Sequence, residues 1–241
     1  VGWKRPNLTG LVELLLDHGA DPNARIEHAF PFQDHYFIAR STSNPAMISP
    51  VGATPLHLAA VSADIEAMNL LGEVSEVGAK TSGGATLFLL ATGAGPEKRA
   101  YGRGHEQRAI QAAKLALELG GGGVDDSLTH VAEDGPRKGV KDGRTALHFA
   151  VYRGWTEMVK FLVELGAELD HRAKYGLSAI MLAVIGGHLA VVRALRDAGA
   201  DLDNTGPVHL RPEFQHELGD DELGAGRDRH APGIAKELHA G

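Results

Sequence analysis

One block of residues occurs twice between Asp142 and Asn204, and that recurrence constrains the fold more than any other feature of the chain. Residues 142–170 read DGRTALHFAVYRGWTEMVKFLVELGAELD, and residues 175–203 read YGLSAIMLAVIGGHLAVVRALRDAGADLD. Gly143 pairs with Gly176, Thr145 with Ser178, Leu147 with Ile180, Gly154 with Gly187, Leu162 with Leu195 and Gly166 with Gly199, each pair 33 residues apart. A fixed period of this length indicates stacked repeats rather than a single closed core.

Each block spells two short helices. In the related stretch Thr54-Pro55-Leu56-His57-Leu58-Ala59-Ala60, the Thr54 hydroxyl is placed to cap a helix, and Pro55 then takes the first helical position, where an N–H is not needed. Leu56, Ala59 and Ala60 lie at i, i+3 and i+4, one apolar face of a helix. A second helix follows a turn, seen in Met158, Val159, Phe161, Leu162 and Leu165 and again in Val191, Val192 and Leu195. Gly166 and Gly199 stand where a left-handed C-terminal cap is wanted. Such a hairpin is too small to bury its own apolar surface, so neighbours must stack to share one elongated core.

A period of about 33 residues headed by T-P-L-H-x-A and closed by G-A-D resembles the ankyrin-repeat family. The resemblance covers most of residues 8–204, with interruptions, and implies an all-α solenoid in which each repeat is a β-turn plus an antiparallel helix pair. It also implies that His57 and His148, which share one repeat position, tie neighbouring turns by hydrogen bonds rather than acting as ligands or bases. In the family, partners are held by the turn tips and the exposed face of the first helix. Carried position by position, these are Ala53, Val61 and Ser62, then Lys141, Arg144, Tyr152 and Arg153, then Lys174, Tyr175, Leu177 and Ile185. Tyrosine and arginine are enriched at interface hot spots, which puts Arg144, Tyr152, Arg153 and Tyr175 first among them.

Read in order, the chain gives about five repeats with extras. Residues 1–25 form a partial repeat: LTGLVELLLDHGADPNA (8–24) supplies a second helix and closing turn, while VGWKRPN is too short for the first helix. Half a repeat leaves an apolar flank without a polar cap. The chain, which opens on Val1 rather than Met, is therefore read as a fragment or processed product with further repeats ahead of it. Residues 26–51 form an insertion rich in aromatics, with Phe30, Phe32, Tyr36 and Phe37. Long loops in compact folds are commonly functional or disordered, and aromatic content argues for function. Phe32, Tyr36 and Phe37 thus join the candidate partner-binding residues.

Residues 52–83 make the next repeat. Residues 84–141 make a third, interrupted at 96–108 between its helices and at 121–141 after them. Residues 142–174 and 175–204 are regular repeats, and 205–241 has the composition of a disordered tail.

Composition narrows function. A formal charge of −7 without a basic run argues against nucleic acid as a partner. With no cysteine there are no disulfides, thiolate zinc sites or cysteine nucleophiles, and no apolar run approaches the length of a membrane span. His105-Glu106 begins like H-E-x-x-H, but Ala109 stands where the second histidine belongs, so the pair reads as a solvated loop. Gly102-Arg103-Gly104 and Gly120–Gly123 follow no strand and complete no phosphate-binding motif, so they read as flexible linkers. Asp125-Asp126 and Asp220-Asp221-Glu222 lack EF-hand spacing and read as solvated acids. His209, His216, His230 and His239 are too scattered for a metal site, and no G-x-S-x-G motif is present.

These features predict a non-catalytic protein-binding module without cofactor or metal, gripping a protein partner through the concave face and turn tips of the stack. The alternative expectation is a regulatory segment of a larger enzyme whose catalytic domain lies outside these residues.

Overall fold

The computed structural model describes residues 8–27, 51–94, 105–129 and 142–202. Phe30, Phe32, Tyr36, Phe37, Lys141, Gly102-Arg103-Gly104, residues 1–7 and the tail beyond 202 lie outside them. Nine α-helices are found among the described residues: α1 (Leu8–Asp17), α2 (Pro55–Val61), α3 (Ile65–Gly72), α4 (Leu87–Ala91), α5 (His105–Glu118), α6 (Ala146–Arg153), α7 (Thr156–Glu164), α8 (Ala179–Ile185) and α9 (Leu189–Asp197). The one β-pairing among the described residues is an isolated antiparallel bridge between Ser127 and Thr145.

The helices form two rows. The second helices run α1, α3, α5, α7, α9, each packed on the next, and the hairpin pairs α2/α3, α4/α5, α6/α7 and α8/α9 join them to the first helices. The row of first helices is closest between α2 and α4 and between α6 and α8. Residues from Leu56 to Ala200 make one continuous buried cluster. Short α4, LFLLA, is buried along its whole length. Ala112, Ala113 and Ala116 of α5 are fully buried and give the rows room to approach.

Local chemistry sets each boundary. Thr54, Thr86, Thr145 and Ser178 are the N-caps of α2, α4, α6 and α8, all in extended backbone with a hydroxyl able to satisfy an orphan N–H. At the far end of α7, Gly166 adopts φ +82. Its N–H donates to Val163 O (2.9 Å) and that of Ala167 to Leu162 O (3.0 Å), the two bonds of a Schellman cap, which need a left-handed residue between them.

Neighbouring repeats are also tied by polar groups. His57 Nδ1 accepts from the Thr54 amide (3.1 Å), and its Nε2 donates to Ala79 O (3.0 Å). His148 repeats this with the Thr145 amide (3.3 Å) and Leu177 O (3.2 Å). The amide is always a donor and the carbonyl an acceptor, so each ring is the neutral Nε2–H tautomer. The turns join edge to edge: Ser82 N–H donates to Val51 O, Thr129 N–H to Gly83 O and Lys174 N–H to Asp142 O (3.0, 3.0 and 2.7 Å). The chain on either side of residues 28–50 is held together by Ile26 and residues 52–53, and that flanking residues 130–141 by Leu128 and residues 143–144.

Three readings from the sequence change here. His105 and Glu106 are not in a loop, because α5 begins at His105 rather than Ala109. Glu106 Oε1 accepts the backbone N–H of Met158 (2.9 Å) in the first turn of α7. The N-cap residue of α7 is Trp155, which offers no acceptor, so the neighbouring repeat supplies one. In α3 the N-cap Asp64 does this itself, accepting from Ala67 N–H (3.1 Å). Asp125 and Asp126 are more than solvated acids: Asp125 accepts from Glu168 N–H (2.9 Å) in the following repeat and Asp126 from Gly123 N–H (2.7 Å) within its own turn. The same link recurs between Asn23 and Glu76 N–H (2.7 Å) and between Asp170 and Asp201 N–H (3.0 Å). Finally, Gly121 is not linker, since it packs against Leu87 and its carbonyl accepts from Phe88 N–H (2.9 Å).

Two measurements follow. Glu106→Ala removes the α7 cap and should lower stability by about 1 kcal/mol, read as a shift in the urea midpoint at constant slope, with Glu106→Gln costing less because it keeps a carbonyl oxygen. Burial, opposed by the Leu177 bond and reinforced by His171 and Arg144, lowers the His148 pKa to about 4. The unfolded chain takes up a proton near pH 6.5 that the native state refuses until about pH 4, so stability complete above pH 6.5 is lost as the pH falls through that window. His148 should account for about 2 kcal/mol of the loss between pH 7.5 and pH 5, and His148→Gln should flatten the stability-against-pH curve by that amount.

Candidate partner-binding surface

Counting seven residues from each N-cap gives Val61, Gly93, Tyr152 and Ile185, at or just beyond the C-terminal ends of α2, α4, α6 and α8. Five residues earlier, the positions facing the core are closed: Leu56, Phe88, Leu147 and Ile180 are all buried. Val61 and Tyr152 are instead half-buried and Ile185 is 40% exposed. A helix puts these residues on a different face from the buried apolar residue two places after each cap. The same register that fills the core therefore lays a second, accessible line along the row of first helices.

Ser62, next in that line, is exposed, and its hydroxyl donates to Leu58 O (2.9 Å). Arg153, eight residues from its cap, reaches backward across the stack. Its Nε donates to Gly93 O (2.6 Å), and its guanidinium lies 5.0 Å from the centre of the Trp155 ring. Around it Val61, Ala63, Ala91, Gly93, His105 and Trp155 line a shallow cleft at the junction of three repeats. Burial, with Arg108 and Arg153 nearby, lowers the His105 pKa. Trp155 and His105 were not singled out for this surface from the sequence. The available signal was Trp155 following the turn glycine Gly154, since a large side chain after a chain reversal lands on the neighbouring repeat.

The turn tips divide differently. Ala53 is 3% exposed and takes part in the wall of the stack rather than its surface. Arg144 is held by its own repeat: Nε and Nη2 donate to the two oxygens of Asp142 (2.6 and 2.7 Å), and its guanidinium stands 4.8 Å from the centre of the Phe149 ring. Its side chain is 15% exposed over a fully buried carboxylate. A bidentate pair of this kind fixes the turn. Lys174 and Leu177 are half-buried on the last turn, where Tyr175 sits in a single turn of 3-10 helix, Lys174–Gly176. The Leu177 carbonyl is the acceptor for His148, so this turn's backbone is anchored while the Leu177 side chain stays partly accessible. The surface thus brings Val61, Tyr152 and Ile185 into one register with Ser62 beside them, sets Leu177 on the neighbouring turn, and draws Arg144 and Arg153 into the scaffold.

Among the described residues no group of three or more His, Asp or Glu could hold a metal ion, and no helix is long and apolar enough to cross a membrane.

Residues 109–205 match the family model described as ankyrin repeats (3 copies). No curated protein matches the chain. The matched segment runs from within α5 through α9, and residues 52–94 outside it carry the same caps, glycines and histidine tie. Helix pairs in two rows, hydroxyl caps at one register and imidazoles bridging successive turns agree with that match, and residues 109–205 are ankyrin repeats.

Proposed function

We propose that this chain binds a protein partner along the exposed line of its first helices, with Val61, Tyr152 and Ile185 as the contact row and Leu177, Lys174 and Tyr175 as its edge. Ankyrin repeats are generally protein-interaction modules and typically non-catalytic, and that is the general ground for the reading. The observation that carries it is the chemistry of one register: valine, tyrosine and isoleucine fill three of its four positions, beside Gly93, and all three keep solvent access although Val61 also packs on the core. Tyrosine at the middle of such a row offers a large amphipathic ring with few torsions to freeze.

The stack also suits the task energetically. Its turns and helices are locked to their neighbours by backbone bonds, histidines and carboxylates before any partner arrives, so association orders little more than side chains. Arg144 and Arg153 act in this reading by holding the surface in place, because their guanidinium groups already engage Asp142 and Phe149, and Gly93 and Trp155. Phe32, Tyr36 and Phe37 belong to residues 28–50, which depart from and return to the first turn of the same edge. On their aromatic chemistry alone, the proposal includes them as further contacts.

The test is affinity capture with quantitative mass spectrometry, comparing the wild type with Tyr152→Ala/Ile185→Ala. The double variant should lose its reproducible partners by about tenfold or more, as expected for truncated hot spots, while its urea midpoint stays close to wild type. Undiminished capture by a folded double variant refutes the site. Arg144→Ala should behave in the opposite way: it leaves the buried Asp142 carboxylate unpaired and should cost about 3 kcal/mol of stability, with partner capture per folded molecule retained.

A further inference from the structure

The places where this chain breaks its own repeat pattern converge on the cleft beside the first-helix line. Nine residues after the N-caps Thr145 and Ser178 stand Gly154 and Gly187, both at positive φ. The corresponding residue after Thr54 is Ala63, which keeps that left-handed conformation (φ +50) and is the only non-glycine to do so among the described residues. An alanine is strained there, and it adds a methyl group to the cleft wall. Gly93, seven residues after its N-cap, breaks the run of Val61, Tyr152 and Ile185 in the other direction. A Cβ on it would lie 2.7 Å from the Trp155 ring and 3.0 Å from the Arg153 side chain, so glycine is what lets both lie against the end of α4.

Helix α5 supplies a third departure. Helices α7 and α9 begin ten residues before their closing glycines, Gly166 and Gly199, whereas α5 begins fifteen before Gly120. The added turn brings His105 to the cleft, where Arg108 and Arg153 oppose its protonation. Ala91 and Ala109 complete an apolar floor. Local rules are broken most often where a protein does its work, and three successive repeats break theirs around one cleft.

The lining selects an occupant. Among the described residues its ionisable side chains are Arg153 and His105, with no acid between them, and an arginine keeps its charge whatever bonds it makes. Asp64 and Glu106, which adjoin Ala63 and His105 in sequence, already accept backbone N–H groups in the first turns of α3 and α7. The enclosed space is about that of one water molecule above methyl groups, which admits the end of a side chain but no aromatic ring. A cationic tip would meet like charge there. A glutamate can lay its methylenes on the alanines and turn its carboxylate to the guanidinium.

We propose that this cleft is a specificity pocket for a glutamate side chain of the protein partner, an inference that rests on the first-helix line being a protein-binding surface. Val61 belongs to both line and cleft, and Arg153 directly follows Tyr152, so a partner lying along the line reaches the cleft without leaving the surface. The Nε bond to Gly93 O and the Trp155 ring fix where the guanidinium stands. The carboxylate therefore meets a charge that is already held in position.

The test is a library of random short peptides, displayed with their C-termini fused so that any selected carboxylate is a side chain. It is panned against the wild type, His105→Glu and Tyr152→Ala/Ile185→Ala. His105→Glu reverses the charge sought at the cleft wall while placing an acid where the first turn of α5 favours one. The wild type should enrich peptides that share one glutamate, and a synthetic peptide from that set should bind about tenfold more tightly than its glutamine twin. In His105→Glu with a urea midpoint near wild type, that preference should fall to about twofold or less, and Arg153→Gln, which removes the guanidinium charge, should give the same loss. Peptides that bind without a glutamate preference, or whose preference both variants leave intact, overturn the cleft while sparing the surface. A glutamate preference with undiminished affinity in Tyr152→Ala/Ile185→Ala supports the cleft and refutes the line. Failure of the wild type to enrich any peptide overturns both.

Discussion

No helix pair in this protein can exclude water from its own apolar surface, and the architecture follows from that shortage. Leu147 and Phe149 of α6 are fully buried only because α7 and α8 lie against them, and Met158 and Leu162 of α7 depend in turn on its neighbours. Burying a side chain of this size contributes roughly 1.5–3 kcal/mol, most of it across repeat boundaries. Stability of such a stack is approximately a sum of weak unit terms and stronger nearest-neighbour terms.

Sharing a core between neighbours requires that the polar backbone at each boundary be satisfied as well. The protein does this with a small set of acceptors used across the joint instead of within the unit. His57 and His148 pass hydrogen bonds from one turn to the next, Asn23, Asp125 and Asp170 accept an amide of the following repeat, and Glu106 completes a helix that its own N-cap residue cannot. No buried side-chain nitrogen or oxygen among the described residues lacks a partner. An imidazole suits the task only while neutral, since protonating Nδ1 would set a donor against the threonine amide. Acidity therefore acts first on the bond between each histidine and the threonine amide of its own repeat, while the Nε2–H donated to the next turn is kept in the protonated ring.

The same economy separates scaffold from surface. Arg144 and Arg153 are residue types favoured at interfaces, but each is engaged in the structure by a short hydrogen bond and an aromatic ring. Tyr152 and Ile185 have the register of surface positions and keep solvent access. Composition at a position says which interactions a side chain favours, whereas the distance to Asp142 or to the Gly93 carbonyl says whether those interactions are already made.

Periodicity alone determined the helix pairs, their caps and their order, because a hydroxyl, a leucine and a glycine at fixed intervals are local instructions that each segment of chain carries within itself. The bridging role of His57 and His148 was implied by the family resemblance instead. Periodicity could not place Glu106, Asp125 or Arg153, whose partners lie 52, 43 and 60 residues away, nor show that α5 starts at His105. Contact positions carried over from the family marked Ala53 as a surface residue, although it is buried in the stack. Contacts between repeats arise only when two segments with no local knowledge of each other are brought within hydrogen-bonding distance. The stacking that does this also decided which of the arginines and leucines remain available to anything outside the chain.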